Sequence, residues 1–162
     1  INSGNIGNVF GGNNTSGSIS GTITVTIGDN PSNDCGIFSI ENVYGGGNLA
    51  AYGSVDSKRG DYPKVNIMGG LVRNAIYGGG LGSTAIVYGN PQVNIENGIV
   101  GYTLRQGNDE VVQGGNIFGG GNEAPVIGNT NVTITGGKVM QNVYGGGNKA
   151  AVSGTTHVVI GQ

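Results

Sequence analysis

Five times along this chain an aromatic residue runs straight into a glycine cluster: Phe10-Gly11-Gly12, Tyr44 to Gly47, Tyr77 to Gly80, Phe118 to Gly121 and Tyr144 to Gly147. Four clusters are followed by Asn (Asn13, Asn48, Asn122, Asn148), and four of the aromatics follow an Asn-Val or Asn-Ile pair. Self-similarity of this kind marks a repeat architecture before it marks any chemistry. It also excludes long helices, because each glycine in a helix interior costs about 1 kcal/mol relative to alanine.

The aromatic anchors lie 34, 33, 41 and 26 residues apart, which implies a bare unit of 26 residues enlarged by insertions. Each unit contains one run of strict apolar alternation: Thr24 to Ile27, Lys64 to Ile67, Gln92 to Ile95, Asn131 to Ile134 and His157 to Ile160. Alternation over four residues predicts a strand with one buried face. Val25, Val65, Val93, Val132 and Val158 then form one inward column, and the Ile two positions later forms a second. Asn-Val-Tyr and Ala-Pro-Val-Ile supply two further short β runs per unit.

Three short strands in 26 residues, separated by glycine corners, predict an all-β fold. The expected architecture is a right-handed parallel β-helix, or β-solenoid, of about five three-strand coils with loop insertions. Coils stacked at about 4.8 Å would give a rod roughly 24 Å long. The chain reads as a single domain, residues 1–162, uncapped at both ends. Leucine-rich repeats are excluded by the scarcity of Leu, found only at positions 49, 71, 81 and 104.

The 36 glycines need a cause, since each carries a backbone-entropy cost. Corners with positive φ are the expected one, with the 21 Asn residues as the next cheapest occupants. Asn stacked on Asn can also exchange amide hydrogen bonds along a rod. The Asn before each aromatic and the Asn after each cluster are expected to form two such ladders. Phe10, Tyr44, Tyr77, Phe118 and Tyr144 are expected to stack as a column of rings, with an exposed platform for sugars as the functional alternative. The third unit departs from the pattern, with Ala75 before Ile76-Tyr77 and Leu81 in place of the corner Asn, so a break in the ladder is expected there.

Three insertions, Asp29 to Gly36, Val55 to Tyr62 and Gly101 to Gly114, hold most of the charge and are expected as surface loops. With 7 basic and 9 acidic residues the net charge is −2, so no basic stripe is available for nucleic acid. No apolar run reaches the length of a membrane span, and no signal peptide is evident. The single Cys35 excludes an internal disulfide; it is read as a half-buried loop residue or a bridge between subunits.

No catalytic constellation is expected. The outward positions Thr24, Lys64, Gln92, Asn131, His157 and Thr26, Asn66, Asn94, Thr133, Val159 offer no carboxylate pair of the kind glycan chemistry needs. His157 has no partner at metal-ligand spacing, so neither metal nor cofactor is expected. Gly-Gly-Gly-Asn lacks the Lys-Ser/Thr and following helix of a phosphate loop.

The opening Ile1 to Gly7 approximates the stretch missing after Val158-Val159-Ile160-Gly161-Gln162, so joining Gln162 of one copy to Ile1 of another restores the repeat. Open coil ends expose unpaired backbone groups and apolar columns, and they should stack. Head-to-tail self-association is therefore the expected partnership, with glycans as the alternative partner. The unit Asn-Val-Tyr-Gly-Gly-Gly-Asn followed by Val-X-Ile-X-Gly-Gly resembles the glycine-rich repeats of secreted or surface-displayed bacterial β-helix proteins called adhesin-like. That resemblance implies an extracellular or cell-surface setting; with no catalytic constellation among the residues, a structural protein rather than an enzyme is expected.

Overall fold

The computed structural model describes residues 4–28 and 38–161. Cys35 and the whole insertion from Asp29 to Gly36 lie outside these residues. Twelve strands account for the regular structure: β1 (Gly4–Phe10), β2 (Thr24–Ile27), β3 (Phe38–Tyr44), β4 (Lys64–Tyr77), β5 (Gln92–Val100), β6 (Tyr102–Gln106), β7 (Asp109–Gln113), β8 (Asn116–Phe118), β9 (Thr130–Ile134), β10 (Lys138–Val139), β11 (Val143–Tyr144) and β12 (Thr156–Ile160). Among the described residues there is no helix, and so none long and apolar enough to cross a membrane.

Ten strands belong to one sheet in which every pairing is parallel. Equivalent residues of successive repeats are partners. Val25 pairs with Val65, Val65 with Val93, Val93 with Val132 and Val132 with Val158, and Ile27, Ile67, Ile95, Ile134 and Ile160 follow the same register. A second column runs Val9, Val43, Ile76, Ile117, Val143. The Ala-Pro-Val-Ile run contributes single bridges, Tyr52 to Val87 to Val126 to Val152, rather than extended strands.

Alternation explains why these columns are buried. Thr24-Val25-Thr26-Ile27 alternates exposed and buried residues, so one face of the strand is solvated and the other enclosed. Val65, Val72, Ile76, Val87, Val93 and Val126 come from different runs yet belong to one fully buried cluster. The inward faces therefore share a single core. Each fully buried Val or Ile contributes about 1.5–3 kcal/mol.

The insertion from Gly101 to Gly114 is not an irregular loop. It forms an antiparallel hairpin, β6 with β7, turning at Gly107-Asn108 with Gly107 at φ +68°. A glycine at the first central position of a two-residue loop is the requirement of a type II′ turn. The hairpin lies between Val100 and Asn116, which explains the long third spacing. Arg73 ties it to the sheet: its Nε donates to Glu41 at 2.9 Å, and its guanidinium lies 4.0 Å from the Tyr102 ring centroid. Residues 55–62, in contrast, contain no strand.

Candidate functional site

Backbone register places the five aromatic rings directly over one another. Phe10, Tyr44, Tyr77, Phe118 and Tyr144 stack with centroid separations of 4.8, 4.9, 4.9 and 4.9 Å and interplanar angles of 3–9°. Successive strand residues face opposite sides, so Val43 and Ile76 enter the core while Tyr44 and Tyr77 point away from it. The rings form a separate cluster with Ala75, and Phe10 and Leu81 pack against it. Tyr44, Tyr77 and Phe118 are buried, whereas Tyr144, with one neighbour only, is 45% exposed. Burial pushes the Tyr44 hydroxyl up to about 12, helped by the neighbouring Tyr77 phenol, and burial raises Tyr77 as well.

Asparagine ladders flank the rings. Before them, Asn42 donates to Asn8 at 2.9 Å, Asn74 donates to Asn42 at 2.8 Å, and Asn142 donates to Asn116 at 3.3 Å. Asn74 reaches in from one position earlier than expected, because Ala75 occupies the paired position. After the clusters, Asn48 donates to Asn14 and Asn148 to Asn122, both at 2.8 Å. Asn14 therefore replaces the expected Asn13. The first cluster has two glycines instead of three, so Asn13 occupies the third-glycine position and Asn14 the ladder position. Leu81 stands between Asn48 and Asn122, and no amide bond bridges that step among the described residues.

The glycine clusters have a different cause from the expected one. None of the cluster glycines has positive φ, and no residue other than glycine does among the described residues. What requires them is close approach. A Cβ on Gly46 would lie 2.8 Å from the Gly80 nitrogen, one on Gly79 2.7 Å from the Gly121 nitrogen, and one on Gly120 2.9 Å from the Gly147 nitrogen. Real Cβ atoms do not tolerate such distances, so a side chain would force neighbouring repeats apart. Through the clusters the backbone ladder continues, with Gly45, Gly78 and Gly119 each donating to the aromatic carbonyl of the next repeat at 2.9 Å.

A third polar ladder went unpredicted. Asn90 donates to Asp61 at 3.0 Å, the Asn129 N–H donates to the Asn90 side chain at 2.9 Å, and the Thr155 N–H donates to Asn129 at 2.8 Å. Its signal was present as Gly60-Asp61, Gly89-Asn90, Gly128-Asn129 and Gly154-Thr155. With Gln92, Asn131 and His157 these residues line a shallow polar groove.

Among the described residues, no group of three or more His, Cys, Asp or Glu side chains lies close enough to hold a metal ion. His157 pairs in register with Asn131 on an exposed strand face. No known protein family, curated protein or solved structure matches the chain.

Proposed function

We propose that this chain is an extracellular structural element, a right-handed parallel β-helix whose coils continue end to end, either as a filament of stacked subunits or as the stalk of a larger surface adhesin. The right hand follows from the strong preference of parallel β crossovers. One observation carries the reading. Equivalent residues of successive repeats pair in register through the parallel sheet, Val25 with Val65, Val65 with Val93, Val93 with Val132 and Val132 with Val158, so each repeat offers the next the surface that it receives from the one before. Covering such a face would bury a further rank of apolar side chains, each contributing about 1.5–3 kcal/mol. Many of the Asn side chains are engaged in ladders that hold repeats together.

A glycan-binding or glycan-cleaving module is the alternative, supported by the exposed Tyr144 ring and the polar groove around Asn90 and Asn129. The inner rings have both faces covered by other rings, which favours packing over a sugar platform. Electron microscopy of the isolated chain separates the two. Fibres with a subunit rise near five coils support the structural reading; dispersed single chains that bind sugars defeat it.

A further inference from the structure

Between the first and second repeats the backbone ladder is missing a rung. Tyr52, Val87 and Val126 each donate their N–H to a carbonyl of the next repeat, those of Ile86, Pro125 and Ala151, at 2.9–3.0 Å. Ile19 lies in the corresponding stretch of the first repeat and also packs against the core. Among the described residues no such bond joins it to Ala51. In place of the rung the two repeats part around a cavity of about 370 Å³, walled by residues 15–19 on one side and by 49–51, 53–54 and 59 on the other.

One cation borders this cavity, carried by the insertion in the second repeat. The Arg59 N–H donates to the Tyr88 carbonyl at 2.8 Å, its Nη1 donates to the Ser20 carbonyl at 2.9 Å, and its guanidinium lies 5.5 Å from the Tyr52 ring centroid. The side chain is therefore held in place. Its Nε is buried without an acceptor, which is true of no other side-chain nitrogen or oxygen among the described residues. The ion pair among those residues is Arg73 with Glu41, so Arg59 has no carboxylate partner. A buried N–H without an acceptor is rare enough to require a cause, and an acceptor from outside the chain is one.

We propose that this cavity binds a small ligand bearing an oxyanion, a carboxylate or a phosphate, with Arg59 as its cationic partner. Guanidinium nitrogens grip such groups through two parallel bonds, and with Nη1 engaged by Ser20 the edge formed by Nε and Nη2 is the one left to do so. The hydroxyls of Thr15, Ser16, Ser18 and Ser54 line the same cavity and can donate to the remaining oxygens. Its volume falls within the range of small-molecule pockets, so a ligand the size of an acidic sugar fits as well as a bare ion. Both walls belong to one chain, and the site needs neither a second copy nor a further repeat.

Isothermal titration calorimetry of the full chain tests this at fixed ionic strength, with inorganic phosphate, glucuronate and neutral glucose as probes. At least one of the two anions should saturate a single site per chain, and glucose should not. Tighter binding of glucuronate assigns the site to an acidic sugar, and tighter binding of phosphate assigns it to a phosphate group; both support an oxyanion site. Arg59→Gln should weaken anion binding about tenfold or more, as the loss of a charge-assisted pair requires. Ser16→Ala/Ser18→Ala, at exposed positions, should weaken it about threefold or more and serves if Arg59→Gln melts early for want of its Ser20 tether. No saturable binding of either anion, glucose bound as tightly as glucuronate, or unchanged affinity in the folded variants overturns the site, and none of these results bears on whether copies stack.

Discussion

Ile76 and Tyr77 are adjacent in sequence and head two columns that are buried in different ways. The Ile76 column is enclosed by residues from several runs: Val43, Ile76 and Ile117 are fully buried, and its end members Val9 and Val143 are still partly buried. The Tyr77 column lies outside that enclosure. Each ring is covered mainly by the ring before and the ring after, so burial there belongs to the series and fails at its end, where Tyr144 is left half open. An enclosed column is a property of the cross-section, whereas a stacked column is a property of length.

Cavity formation breaks the first column most severely. Ile76→Ala should cost about 2–5 kcal/mol in denaturant unfolding, because the surrounding backbone is pinned by its ladders and cannot collapse into the gap. Tyr77→Leu keeps apolar bulk but removes two ring contacts, and should cost about 1–3 kcal/mol by the same measurement. Tyr144→Leu removes only one contact at an exposed ring, and its cost should fall below about 1.5 kcal/mol. A Tyr144 variant as costly as the Tyr77 variant would show that the rings are not a series.

Alkaline titration separates the columns without touching the core. A phenol whose folded value is raised stays neutral in the folded chain after it has ionised in the unfolded one. Its contribution is therefore complete below about pH 10 and disappears as pH rises toward and through about 12. Wild type should lose thermal stability over that window, and Tyr44→Phe should retain more of it. The exposed amides give an effect of similar size to Tyr144→Leu. The double variant Asn48→Ala/Asn148→Ala removes two ladder bonds and should lower stability by about 1–2 kcal/mol.

The apolar columns were legible because a period of two over Lys64 to Ile67 or Asn131 to Ile134 states which residues share a face. Which side the rings occupied was not, since the glycines after Tyr44 or Tyr77 carry no side chain to continue the alternation. The glycines were correctly marked as obligatory, and positive φ is the cause at corners such as Gly28, Gly53 and Gly137 but not in the clusters. A positive φ is a property of one residue, but the space beside Gly79 is set by Gly121, forty-two positions away, and composition is silent about that. The misplacement of Asn13 had a similar root, because counting from the last glycine ignored the missing third glycine. The hairpin at 102–113 was readable from Gly107-Asn108, a two-residue turn pair between short runs, and was obscured by treating every insertion as a loop.

In-register parallel pairing of successive repeats is the claim on which the columns and the ladders both depend, and engineered cross-links test it directly. In a Cys35→Ser background, Asn66→Cys/Asn94→Cys places two thiols at paired outward positions one repeat apart, and Asn66→Cys/Thr133→Cys places them two repeats apart. Paired positions fall within the reach of a disulfide, and positions two strand spacings apart, about 9.6 Å, do not. The first pair should oxidise fully within the monomer while the second remains reduced; a bridge in the second pair, or none in the first, would contradict the fold described above.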